Sequence, residues 1–262
     1  MNKHLNLLYY SATDTTAQVV KAVADGMNSS VRENNITLPN ERERDFVFGE
    51  EDLVIIGVPV YGGRVPAFLA EYFTRVKGNN TAAVFVVVYG NRNYDDALLE
   101  LKDIFEKKGF IGVAGGAFVG EHSFTNKVGT GKPDQKDLEL ARRFGAEIKE
   151  KLSKINNKDL SNLPELFVKG NYPYKERKPM PAMLPETDEL CTNCGLCAEI
   201  CPVGAIDFNN YSNVDVKCIS CCSCIKKCPA GAKSINSDLL KKITQGLIAN
   251  FSTVKNEPEL YI

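Results

Sequence analysis

The chain has 262 residues, a formal net charge of −1, 44% hydrophobic residues and 25% charged residues. That length fits one large domain or two modest ones, and the composition is that of an ordinary globular protein. The near-neutral charge offers no basic surface for nucleic acid or an anionic membrane, and two histidines are too few for a His-rich metal site. The first residues pass straight into a short apolar run, with nothing long enough for a signal peptide or a membrane span.

Taken in chain order, Leu5 to Tyr10 reads as a buried strand. It runs into Ser11-Ala12-Thr13-Asp14-Thr15-Thr16 and then a helix with Val20, Val23, Ala24 and Met27 at helical spacing. A strand, a hydroxyl-rich loop and a helix N-terminus together make an anion site; an ordinary helix cap explains the same residues. The region from Ile36 to Phe48 leaves room for a short second strand but not for a full second helix. Asp52 to Val58 is a continuous buried strand. It ends in Pro59-Val60-Tyr61-Gly62-Gly63-Arg64, before a helix to about Val76. Ala82 to Val88 is another such strand, followed by Tyr89-Gly90-Asn91-Arg92-Asn93-Tyr94 and a helix carrying Leu98, Leu101, Ile104 and Phe105. A fifth strand, Gly112 to Val119, leads to Gly120-Glu121-His122-Ser123-Phe124. The last helix of the unit carries Leu138, Ala141, Ile148 and Leu152.

Alternating strands and helices predict the α/β class over residues 1–153: a doubly wound parallel sheet of five strands in order 2-1-3-4-5. Ligands in that architecture sit outside the carboxyl ends of the strands, and the loops after strands 1, 3 and 4 fall on that edge. His122 and Ser123 follow strand 5 on the same edge. His122 is read first as a structural histidine, and no residue is assigned a catalytic role.

Residues 154–186 carry prolines at 164, 173, 179, 181 and 185 and read as a semi-rigid linker. Leu166, Phe167, Tyr172, Tyr174, Met180 and Met183 give it apolar positions with which to pack along the domains; a plain tether fits equally well.

Residues 187–236 hold eight of the nine cysteines on one repeated grid. Cys191-x-x-Cys194-x-x-Cys197-x-x-x-Cys201-Pro202 recurs as Cys218-x-x-Cys221-x-x-Cys224-x-x-x-Cys228-Pro229. This is the bacterial run for cubane iron–sulfur clusters, in which the fourth cysteine crosses to the other cluster. Three cysteines two residues apart wrap one cubane in a tight loop, and the fourth iron takes its ligand from the other half. One [4Fe-4S] cluster is therefore assigned to Cys191, Cys194, Cys197 and Cys228, and a second to Cys218, Cys221, Cys224 and Cys201. Zinc sites use four ligands, usually as separated pairs, and leave the third cysteine and the Cys-Pro of each half unexplained. Disulfides need an oxidising compartment. With no targeting segment, clusters that oxygen destroys point to a reduced, cytoplasmic and anaerobic setting. Cys222 falls off the grid and reads as a small packing residue, with a spare ligand as the alternative. Lys226 and Lys227 read as a solvated helix face, with a docking patch or an influence on the second cluster as alternatives. In residues 237–262, Ser237 to Ala249 has an amphipathic pattern with Leu239, Leu240, Ile243 and Leu247, while the tail carries no signal.

The cysteine grid resembles that of the two-cluster ferredoxins. The three loops on one sheet edge are similar to those of the flavodoxin family, and the whole chain is similar to flavodoxin–ferredoxin fusion proteins. The resemblance implies a flavodoxin-like FMN domain followed by an α+β ferredoxin domain. It implies that Ser11, Ala12, Thr13, Asp14, Thr15 and Thr16 form the FMN phosphate loop, where related loops usually carry Gly in place of Asp14. Asp tolerates left-handed backbone, so Asp14 keeps the turn if it points outward and opposes a phosphate if it points inward. The resemblance further places Pro59, Val60, Tyr61, Gly62 and Gly63 at one edge of the isoalloxazine. Gly90, Asn91, Arg92 and Tyr94 fall at its face, with Tyr94 stacking on the ring.

The function expected is electron transfer between FMN, two [4Fe-4S] clusters and other redox proteins. A flavin-dependent reductase, and a ferredoxin carrying an empty flavodoxin-like docking domain, are the competing readings. Neither nucleic acid nor membrane is an expected partner, and a homo-oligomer is compatible with the chain.

Overall fold

Parallel strands buried on both faces organise the first half of the molecule, which is why they stand out as continuous apolar runs. The computed structural model describes residues 3–155, 160, 163–178 and 180–262. The elements are β1 (His4–Tyr9), α1 (Thr15–Gly26), β2 (Val31–Asn35), β3 (Phe46–Phe48), β4 (Asp52–Pro59), α2 (Ala67–Tyr72), β5 (Val76–Gly78), β6 (Thr81–Tyr89), α3 (Ala97–Glu106), β7 (Phe110–Val119) and α4 (Gln135–Ser153). Five strands pair in parallel in the order β2-β1-β4-β6-β7. That order is the flavodoxin-like doubly wound arrangement.

Side chains alternate along each strand and so feed two cores. Leu8, Ile56, Phe85 and Val87 meet Leu69, Leu98 and Phe105 from α2 and α3 on one face. Leu7, Ile55, Val84 and Val86 meet Val20, Ala141 and Phe144 from α1 and α4 on the other. The second pair of helices touches backbone to backbone. A Cβ on Gly26 would sit 1.8 Å from the Arg142 carbonyl oxygen, and one on Gly145 would sit 2.0 Å from that of Val23.

The second strand lies earlier than the sequence indicates, at Val31–Asn35, ahead of Ile36. Phe46–Phe48 instead pairs with β5 in a separate two-stranded ribbon. The sheet also has a sixth strand, β10 (Glu259–Tyr261), antiparallel to β7 at the edge. The tail that carried no sequence signal thus closes the sheet.

The second half holds β8 (Glu186–Thr187), α5 (Leu196–Glu199), α6 (Ser223–Lys226), β9 (Lys233–Ser234) and α7 (Asp238–Phe251). β8 and β9 pair antiparallel, and α5 and α6 begin at the third residue of Cys194-Gly195-Leu196-Cys197 and of Cys221-Cys222-Ser223-Cys224. The described linker residues form a strap bound to the sheet domain. Leu166 and Val168 enter the α2/α3 core, Asn171 and Lys175 donate from their backbone N–H groups to Asp96, and Arg177 pairs with buried Glu100 at 2.7 Å. Met183 is buried against Ser220, whereas Phe167 and Tyr172 face solvent. Pro179 lies outside the described residues. Among the described residues no helix is long and apolar enough to cross a membrane.

Candidate functional site

The carboxyl ends of β1, β4 and β6 open onto a cavity of about 330 Å³, within the range of small-ligand pockets. From the first loop, Ser11, Ala12, Thr13, Thr15 and Thr16 line it. The loop wraps the start of α1, whose first-turn N–H groups have no intrahelical acceptor and favour an anion. Ser11 Oγ accepts from the Ala17 N–H at 3.0 Å. Asp14 is not part of the lining. It holds the turn in the left-handed region at φ 67°, and its carboxylate reaches out to Lys227 Nζ at 2.7 Å.

From the second loop, Pro59, Val60, Tyr61 and Gly62 line the cavity, and Gly63 does not. Gly63 has φ 86° and packs so closely on Asp95 that a Cβ would fall 2.0 Å from its Oδ2. Burial, with Cys221 nearby, pushes the Tyr61 hydroxyl well above its ordinary range and keeps its proton in place.

From the third loop, Gly90 and Arg92 line the cavity, and Arg92 is paired with Asp95. Asn91 and Tyr94 turn away from it. The buried Asn91 amide donates to the carbonyls of Phe251 and Val254 at 3.2 and 2.8 Å, fastening the end of α7. Tyr94 packs in the core, and its hydroxyl lies 2.9 Å from Glu259 Oε2 and from the Tyr261 hydroxyl. The expected stacking position of Tyr94 is therefore corrected: its polar end is satisfied by β10. The aromatic ring that does line the cavity from this segment is Tyr89.

His122 and Ser123 line the same space. The Phe124 N–H donates to His122 Nδ1 at 3.1 Å, which leaves the ring proton on Nε2. Burial, reinforced by Lys226 and Arg92, lowers the His122 pKa from 6.5 to about 4, so the ring is neutral near pH 7.

Residues from outside the sheet domain form the remaining wall. Met180 of the strap, Ile219, Ser220 and Cys221 of the cysteine-rich module, and Ile243 and Leu247 of α7 all face the cavity. Apolar periodicity marked Ile243 and Leu247 as a helix face, but nothing local revealed what that face covers.

The eight grid cysteines divide between two further enclosures. Cys191, Cys194, Cys197 and Cys228 line one with about 330 Å³ of empty space. Cys201, Cys218, Cys221 and Cys224 line the other, of about 370 Å³, with Cys222 beside them. Four soft sulfur donors around each enclosure match the ligand chemistry of an iron–sulfur cube. Among the described residues no three His, Cys, Asp or Glu side chains converge as a single metal ion would require. Burial pushes the Cys221, Cys222 and Cys224 thiols up to about 12, so without a bound cation they hold their protons. The first enclosure is the outer one, since Cys194 is exposed. The second is the inner one, since Cys221 also lines the sheet-edge cavity.

Lys226 and Lys227 are not a free solvated face. Lys226 Nζ lies 2.7 Å from Glu121 and Lys227 Nζ lies 2.7 Å from Asp14, so both lysines pin the module to the sheet domain. Arg42 adds a third link, donating to the Pro202 carbonyl.

Residues 187–207 match the 4Fe-4S binding domain. No curated protein matches the chain. Among solved structures, a flavodoxin from the domain Archaea is similar at 14% identity and TM-score 0.41, covering 56% of this chain and 97% of its own. A Streptococcus pneumoniae flavodoxin is similar at 16% identity and TM-score 0.39, covering 56% and 98%. A Fusobacterium nucleatum flavodoxin bound to flavin mononucleotide is similar at 16% and 0.39, covering 58% and 98%. The strand order described above defines the flavodoxin-like fold of the first half. The chain thus joins a flavodoxin-like α/β fold to a cysteine-rich module whose first half matches a 4Fe-4S binding domain.

Proposed function

We propose that the chain relays electrons between an FMN held in the sheet-edge cavity and two [4Fe-4S] clusters, and exchanges them with other redox proteins at the outer cluster. One observation carries this reading: Cys221 lines both the sheet-edge cavity and the inner cysteine enclosure, so a ligand of one cofactor forms the wall of the other. When bound, FMN exchanges one or two electrons with a proton and each cube exchanges one electron, while the protein sets distance, exposure and potential.

The residues of the cavity fit FMN. The hydroxyls of Ser11, Thr13, Thr15 and Thr16 at the start of α1 supply a phosphate site without a lysine. The exit of Asp14 toward Lys227 turns the loop's own carboxylate away from it. Tyr89 and the 59–62 turn offer an aromatic surface and close backbone approach for the ring. Met180, Ile243 and Leu247 give the opposite wall an apolar lining. The exposed Cys194 puts the outer cluster within reach of a partner.

Anaerobic purification, acid extraction of flavin, and iron and sulfide counts test the reading together. About eight irons per chain with one FMN is the expected outcome. About eight irons with no FMN, even after reconstitution with excess FMN, would sink the relay.

A further inference from the structure

Among the described residues, two buried side-chain polar atoms lack a hydrogen-bond partner: the hydroxyls of Tyr10 and Ser223. A buried hydroxyl left unpaired is unfavourable and rare, so each calls for an acceptor. Of the two, Ser223 lies at the inner cysteine enclosure and Tyr10 does not line it. Ser223 lines it, is 1% exposed, and stands between Cys222 and the ligand Cys224. Tyr10, fully buried at the end of β1, belongs to the core cluster against which Cys221 packs. The Tyr10 hydroxyl has the Tyr61 hydroxyl as its hydrogen-bonding neighbour, which leaves Ser223 as the hydroxyl whose acceptor the inner enclosure must supply.

We infer that Ser223 donates a hydrogen bond to sulfur of the inner cluster and thereby raises that cluster's reduction potential. Thiolate and sulfide are acceptors, and they supply what the Ser223 hydroxyl lacks. Reduction adds negative charge to a cluster, so an O–H donor stabilises the reduced form more than the oxidised form. Arg42 adds positive charge on the same side, through its hydrogen bond to the Pro202 carbonyl next to Cys201. Ser223 does not line the outer enclosure, so the outer potential is left alone. The inference rests on the relay reading only in requiring an iron–sulfur cluster at Cys201, Cys218, Cys221 and Cys224.

The test is an EPR-monitored redox titration of the full-length, cluster-loaded protein, with the inner signal identified by its loss in Cys201→Ser. Ser223→Ala should lower the reduced-to-oxidised ratio of the inner cluster at fixed potential by up to roughly tenfold, about 59 mV for a one-electron couple, while Tyr10→Phe, off the enclosure lining, should not shift it. The outer cluster should not move, and Ser223→Thr, which keeps the hydroxyl, should retain the wild-type inner potential. An unshifted inner potential in Ser223→Ala, at full iron and sulfide content, overturns the hydrogen bond while leaving the relay reading intact. If Ser223→Ala fails to load the inner cluster, Ser223→Cys, which replaces the hydroxyl by a weaker donor, decides: a wild-type inner potential in it overturns the hydrogen bond. A wild-type protein with no signal that Cys201→Ser removes overturns the inner-cluster reading and the inference with it.

Discussion

Lys227 Nζ lies 2.7 Å from Asp14 Oδ1, joining the turn that opens α1 to the residue just before Cys228. Lys226 reaches Glu121 at the same distance. Consecutive lysines thus hold the cysteine-rich module over the sheet edge from two sides of the cavity. The acidic residue that looked hostile to a phosphate is instead part of this clamp.

Asp14→Gly should accordingly leave FMN affinity nearly unchanged. The Asp14 and Lys227 side chains are 59% and 28% exposed, and a pair so open to solvent contributes about 0–1 kcal/mol. A change in dissociation constant below about fivefold is expected, and glycine accepts the φ of 67°. Fluorescence titration with FMN checks this; a much larger tightening would mean that the Asp14 charge reaches the phosphate after all.

Crossed ligation gives opposite losses in two single variants. Cys201→Ser should lose the inner cluster and Cys228→Ser the outer one, each taking iron from about eight to about four per chain. FMN content should hold in both. If Cys201→Ser instead removed the cluster of Cys191, Cys194 and Cys197, the ligands would not be exchanged between the halves.

Tyr89 and Tyr94 stand 5.5 Å apart, centroid to centroid, and only Tyr89 lines the cavity. Tyr94→Phe should keep FMN affinity and lose about 1 kcal/mol of stability with its hydrogen bonds to Glu259 and Tyr261. Tyr89→Leu should weaken FMN binding. Paired titrations and denaturation curves separate the two, and a flavin defect in Tyr94→Phe would restore it as a ring contact.

His122 makes stability depend on pH. The unfolded imidazole titrates near 6.5 and the folded one near 4, so between these values the unfolded chain holds the extra proton. Stability is therefore fully present above about pH 6.5, falls as pH drops toward 4, and loses up to roughly 3 kcal/mol from this group. Urea denaturation of His122→Gln across that window should show a shallower loss than the wild type. Equal slopes would place the folded pKa of His122 near its unfolded value.

Readability from sequence followed how local each signal was. β1, β4, β6 and β7 are buried on both faces, so their apolar runs announce them. β2 reads Val-Arg-Glu-Asn-Asn with only Asn34 buried, an edge strand that lacks a hydrophobic mark. The cysteine grid carries its chemistry in its spacing alone. Side-chain direction in the cavity loops does not. Asp14 is turned outward by a lysine 213 residues away, and Tyr94 inward by a glutamate 165 residues away. Met180, Ile243 and Leu247 were visible as apolar residues, but their common target exists only once the two halves are docked.

β7 and β10 are neighbours in the sheet, yet the whole iron–sulfur module lies between them in sequence. The module is therefore an insertion within the α/β domain, with its entry and its exit both returning to one scaffold. A unit anchored at two points cannot act as a swinging arm that carries electrons outward. In the proposed relay, moving the module off the cavity would mean peeling β10 from the sheet edge, and exchange with a protein partner would then fall on the far side, where Cys194 meets solvent.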